Sequence, residues 1–178
     1  MNTVVNAMVR GSVSALGCLL GAAVIIVAVP APHAPEPVTI GYAGDLATLA
    51  RLAPYPAVVP AGLPASWQPV SSSLAVGGAN GPGTVTWYLG FMAPDGALAA
   101  LDESNAISSA FIRRMTNNGT ALAPARLDGQ IWRLNSAPSR GQRSMYLTSA
   151  AGFTVVVTGN ATWAELRELA AALRPVAR

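Results

Sequence analysis

The acidic pair Asp102 and Glu103 is the first place in this chain to look for acid–base chemistry, because two carboxylates flanking one bond suffice for a hydrolase that uses neither histidine nor metal. Their adjacency works against that use. Neighbouring residues point to opposite faces of a strand and stand about 100° apart on a helix. The two carboxylates therefore do not converge on one substrate atom and are read as solvated charges. A calcium site built from Asp95, Asp102, Glu103 and Asp128 is the other use of these groups. Asp95 precedes Gly96 and Asp128 precedes Gly129, however, and turn formation accounts for both. The sole histidine, His33, lies among Pro30, Pro32 and Pro35, which removes histidine-based triads and zinc sites from any folded core. Ser71, Ser72 and Ser73 fall in a strand pattern beside no base, and no Gly-x-Ser-x-Gly element occurs. The glycines at 77, 78, 81 and 83 lead into a strand, where a phosphate loop would lead into a helix, and so read as a hairpin loop. No catalytic residue, metal ligand or cofactor is expected, and the chain is not expected to be an enzyme.

What remains for recognition is aromatic and guanidinium surface. Of Trp67, Trp87, Trp132 and Trp163, most are expected to pack between sheet and helices, with one or two left to line a groove for a glycan, lipid or peptide. Arg140 and Arg143 flank a loop where they can present planar, bidentate donors to anionic groups. Trp67, Trp87, Trp132, Arg140 and Arg143 together form the candidate ligand or partner surface. The 11 basic residues are all arginine and are scattered, without a basic stripe or interleaved aromatics, so nucleic acid is not an expected partner. The absence of lysine, together with abundant Ala, Gly, Pro and Val, suggests a GC-rich, actinobacterial genome.

The elements that would carry these residues begin with an apolar run that opens at Gly11 and closes at Val29. It is long enough to cross a bilayer as a helix and longer than the apolar core of a signal peptide. Prolines crowd any cleavage site beyond it, so it is read as a retained anchor. Cys18, the only cysteine, follows Ala15-Leu16-Gly17 but sits inside this run, and is read as a buried helix residue and not as a lipidation site. Arg10 on the short side, against Glu36 and Asp45 on the far side, places the N-terminus in the cytoplasm and the rest outside. The expected organisation is a cytoplasmic segment at 1–10, a transmembrane helix at 11–29, a proline-rich linker at 30–54 and an extracytoplasmic domain at 55–178. Within the linker, Leu46, Leu49 and Leu52 follow Asp45 at helical spacing, an amphipathic segment that could lie on the membrane or on the domain.

Inside the domain, residues 67–76 read as a strand, and Val85, Trp87, Leu89 and Phe91 alternate with Thr84, Thr86, Tyr88 and Gly90 in a second. Residues 97–104 read as a return strand. Asn105 is placed as the cap of a helix that carries Ile107, Ala110, Phe111 and Met115 on one face. Asp128-Gly129 signals a tight hairpin anchored by Ile131 and Trp132, and residues 143–148 and 153–158 form another. Thr162-Trp163-Ala164-Glu165 is a capping box opening a last helix with Leu166, Leu169, Ala170 and Leu173 on its apolar stripe. The fold class is α+β: an antiparallel sheet of about five to seven strands, covered on one face by two helices.

The order Tyr55-Pro56-Ala57-Val58-Val59-Pro60, Gly62-Leu63-Pro64, Thr86-Trp87-Tyr88-Leu89-Gly90-Phe91, Glu103-Ser104-Asn105, Asp128-Gly129, Thr154-Val155-Val156-Val157-Thr158-Gly159 and Ala164-Glu165-Leu166 resembles the actinobacterial domain-of-unknown-function family 4245. That resemblance implies single-span membrane proteins with no established activity and no catalytic residues to carry over. It extends more remotely to extracytoplasmic domains attached to anti-sigma factors and lipoproteins, a likeness of fold that does not fix function. The expected function is a membrane-anchored binding or interaction module of the envelope. Its partners would be the bilayer, through residues 11–29, and another envelope or membrane protein. The alternatives are a structural subunit of a membrane complex packed through Gly17 and Gly21, and a carboxylate-based envelope hydrolase.

Overall fold

The computed structural model describes residues 40–77 and 81–177. The expected transmembrane helix at 11–29, Cys18 and His33 lie outside the described residues. No helix among the described residues is long and apolar enough to cross a membrane.

The chain enters through α1 (Ala43–Leu52) and passes along β1 (Val58–Pro60), β2 (Gln68–Val76), β3 (Val85–Met92) and β4 (Leu98–Ser104). It then forms α2 (Ser108–Met115), β5 (Thr120–Leu127), β6 (Gln130–Ala137), a 3-10 turn (Pro138–Arg140), β7 (Gln142–Thr148), β8 (Thr154–Gly159), α3 (Trp163–Ala171) and β9 (Leu173–Pro175). Strands β2 to β8 make one seven-stranded antiparallel sheet in the order β2-β3-β4-β8-β7-β6-β5, and β1 pairs with β9 in a separate two-stranded ribbon.

Period-two alternation sorts the side chains between two faces. Trp87, Leu89, Phe91, Leu101, Trp132, Leu134, Met145, Val155 and Val157 point to one face, where Leu49 of α1 and Leu166 and Leu169 of α3 join them in the main core. Val156 points the other way and packs with Phe111 and Met115 of α2. The expected pair of helices on a single face is therefore corrected. Helix α3 shares its face with α1, and α2 covers the opposite side, because β8 is apolar at consecutive positions 155–157 and buries both of its faces.

Segment 43–52 lies on the domain: Leu49 is fully buried, and the Asp45 carboxylate accepts a hydrogen bond from Ser72 Oγ on β2. Asp45 thus stands in the helix's first turn and does not cap it. Asn105 likewise caps nothing. Its side chain accepts from the Val85 N–H (2.7 Å) and donates to the Gly83 carbonyl (3.1 Å), pinning the β2–β3 hairpin, while α2 begins three residues later without a side-chain cap.

Two local signals are realised directly. Asp128 and Gly129 adopt φ of 49° and 77°, the paired positive angles of a two-residue hairpin. The capping box of α3 is complete: Glu165 N–H donates to Thr162 Oγ1 (3.3 Å) and Thr162 N–H to Glu165 Oε2 (2.9 Å). Thr162→Ala is expected to cost about 1 kcal/mol in urea unfolding, the usual value of an N-cap.

Candidate binding groove

A hollow of about 470 Å³ lies where the C-terminal end of α3 and the β1–β9 ribbon cross the upper ends of β5 to β8. Three elements build its apolar wall. Trp132 and Leu147 rise from the sheet beside Leu127, Phe153 comes from the turn before β8, and Val58, Ala170, Leu173 and Pro175 close it from above. Its rim is polar, with Asp128, Gln130, Thr148, Ser149 and Arg174. The Arg174 guanidinium donates from Nη1 to the carbonyls of Ala171 and Leu173, both at 2.7 Å, so it neutralises the exposed C-terminal end of α3. This volume falls within the range of small-molecule sites, and an apolar wall with a few polar groups at its edge is their usual make-up.

Directly behind that wall is a group whose burial the sequence does not announce. Glu103 is fully buried on β4, opposite Val155 of β8. Its Oε2 accepts the N–H of Val58 at 3.0 Å, and its Oε1 has no hydrogen-bond partner among the described residues. Burial pushes the carboxyl up to about 8 against the opposing pull of that N–H. Tyr55 lies alongside. Its hydroxyl donates to the Val85 carbonyl at 3.3 Å, and its ring stacks on Phe153 with centroids 5.1 Å apart. Burial and the Glu103 charge both push the phenol upward.

Asp102 projects from the other face, between Tyr88 of β3 and Val156 of β8, beneath α2. It is also buried, and desolvation pushes it up to about 7 despite the nearby Arg114 charge. The expectation of two solvated carboxylates is corrected: both are sequestered, because β4 is an interior strand with a covered surface on each side. The expected divergence of the pair holds, since the two carboxyls lie on opposite faces. Among the described residues no group of three or more histidine, cysteine or acidic side chains is placed to hold a metal ion.

The candidate surface residues do not gather in one place. Trp132 lines the groove. Trp87 is fully buried beneath α1, donating Nε1 to Ser72 Oγ at 3.1 Å with its ring tilted against Tyr42. Trp67 packs edge-on against Phe91 at the opposite end of the sheet, its indole nitrogen buried without a hydrogen-bond partner among the described residues. Arg140 is exposed in the 3-10 turn. Arg143 is half-buried, donating to the carbonyls of Asn160 (3.1 Å) and Ala161 (3.2 Å), where it ties β7 to the approach of α3.

A second hollow of about 240 Å³ lies on the α2 face, where Gly90 and Ala100 leave room beside Tyr88 and Thr158. Sequence reasoning missed Val58 and Leu173 as groove residues, since three-residue strands carry too little periodicity to be seen, and Phe153, whose place against the ribbon depends on the long-range closure. No curated protein matches the chain. A family model described as a protein of unknown function (DUF4245) matches residues 5–173, and the chain belongs to that family.

Proposed function

We propose that this protein is a binding module of an actinobacterial cell envelope, anchored by a single transmembrane helix at residues 11–29, with its N-terminus in the cytoplasm and its folded domain outside. The groove bounded by Trp132, Phe153, Val58 and Leu173 receives a small ligand with an apolar body and a polar end. The observation that carries this reading is the groove itself, an apolar hollow of ligand size left open between two sheets and the end of a helix. Binding is favoured over carboxylate catalysis because Asp102 and Glu103 face opposite sides of the sheet and neither lines the groove. The uncharged length of 11–29 and the single flanking Arg10 support the topology.

A photo-crosslinking residue placed at Gln130, on the rim, in the full chain within its native membrane tests the proposal. A discrete adduct is expected from position 130 and none from the same probe at exposed Arg113 on α2, across the sheet. The mass of the adduct separates a small molecule from a protein partner. Absence of an adduct at 130, or equal labelling at both positions, would count against the groove as the binding site.

A further inference from the structure

We infer that Glu103 is a proton-operated latch on this groove: the neutral carboxyl is compatible with the sealed position behind β1, and ionisation, which that burial opposes, favours a state in which β1 lifts and water enters past Val58. The inference rests on the groove being the binding site and adds its regulation.

The argument starts from how β1 is held. Its three residues find their backbone partners on β9, and the flanking bonds from Ala61 N–H to Ala172 O and from Val176 N–H to Ala57 O belong to the same ribbon. Among the described residues the hydrogen bond from this ribbon to the seven-stranded sheet is the Val58 N–H donated to Glu103 Oε2; that bond by itself favours the carboxylate, so what opposes ionisation is the burial that the closed ribbon imposes. As a neutral acid, Glu103 fills its cavity at the cost of one unsatisfied oxygen. As a carboxylate it would be a fully buried charge with a single hydrogen bond, and such a charge either neutralises or finds water. From the elements packed around it, the titratable group that faces it is the Tyr55 phenol, which adds no positive charge. Asp128 and Arg174 stand at the groove rim, and Asp102 and Arg114 lie on the far side of the sheet. The groove lies beyond Val58 and Val155, both of which neighbour Glu103 and line it. The short ribbon is the part of that barrier with the fewest bonds to lose. Burial holds the Glu103 carboxyl up at about 8 while the ribbon is closed, and exposure to water would return it toward the ordinary carboxylate range.

Hydrogen exchange of the purified full chain in detergent micelles, followed at the Val58, Ala61 and Val176 amides and normalised to intrinsic rates, reads the latch without any ligand. In wild type, protection at these three amides is expected to fall by about tenfold per pH unit between pH 5 and 8, the slope of one linked proton. The amides of β4 and β8 should keep their protection. Glu103→Gln preserves an acceptor for the Val58 N–H and should flatten the slope, whereas Asp102→Asn should leave it intact. A flat wild-type profile, an unchanged slope in Glu103→Gln, or simultaneous loss of β4 and β8 protection would each overturn the latch. Failure of crosslinking at Gln130 with the slope present would instead remove the groove's ligand and leave the latch standing.

Discussion

Gly159→Ala is expected to unfold the domain or to lower its melting temperature by well over ten degrees, whereas Gly152→Ala should lower it by only a few. Gly159 ends β8, paired with Ala99 of β4 on one side and Arg143 of β7 on the other. A β-carbon there would lie 2.0 Å from the Leu98 carbonyl oxygen and 2.9 Å from Ala99 Cα, and both are backbone atoms of an interior strand. The Leu98 oxygen is fixed by the N–H groups of Asn160 (3.0 Å) and Ala161 (3.2 Å), and the Leu98 N–H donates to Asn160 Oδ1 (2.6 Å). Relief of the clash would therefore have to break the crossing that sets the start of α3. A cost on the order of 4 kcal/mol or more follows, a large part of the roughly 5–15 kcal/mol that holds a domain together. Gly152 has φ of 81° in a turn with open space around it, so alanine meets only the ordinary strain of that angle there. Thermal melts of the full chain followed by circular dichroism compare the two. Equal melting of Gly159→Ala and wild type would mean that the β4–β8 crossing yields where the structure shows it held.

The strands of the sheet were legible in the sequence because their signals are local. The alternation of Val85, Trp87, Leu89 and Phe91, the Asp128-Gly129 turn and the Thr162–Glu165 capping box each act within a few residues, and each is realised. The misreadings share a different cause. Asn105 is as good a helix cap as a hairpin clamp until Gly83 and Val85 come within reach across the fold. Leu173 reads as the end of an apolar helical stripe, but pairing with Pro60 turns it into a strand, across a separation of more than a hundred residues. The placement of α2 on the face opposite α3 is decided by sheet order, since β4 brings β8 to the centre although β5, β6 and β7 lie between them in the chain. The groove and the burial of Glu103 follow from that long-range closure, and composition carries no trace of either. The single residue-level hint was the unbroken apolar triplet Val155-Val156-Val157, which signals a strand covered on both sides and hence a covered neighbour.

The carboxyl on the other face predicts the pH dependence of the whole fold. Asp102 sits on an interior strand under α2, with Tyr88 and Val156 beside it and the Arg114 guanidinium, itself 5.6 Å above the Phe111 ring, as the nearby positive charge. Desolvation raises it from an ordinary carboxylate value to about 7, so the folded chain holds a proton that the unfolded chain gives up near pH 4. The sign follows from that difference. Asp102's contribution is present in full below about pH 4 and is lost as pH rises through about 7, in total on the order of 4 kcal/mol. Urea midpoints at constant salt should accordingly fall from pH 5 to pH 8, opposite to the behaviour of a carboxylate held by an ion pair. Asp102→Asn should remove Asp102's share of that fall, leave the share that the raised Glu103 contributes, and be the more stable protein at pH 8. Arg114→Ala should steepen it, because the charge opposing the upward shift is lost. An undiminished fall in Asp102→Asn would mean that the proton resides elsewhere. Asp102 and Glu103 occupy opposite faces and neither charge contributes to the other's shift, so a change at one is expected to leave the other's pH response in place. Asp102 then governs how firmly the sheet and α2 stay together, while Glu103 governs the ribbon over the groove.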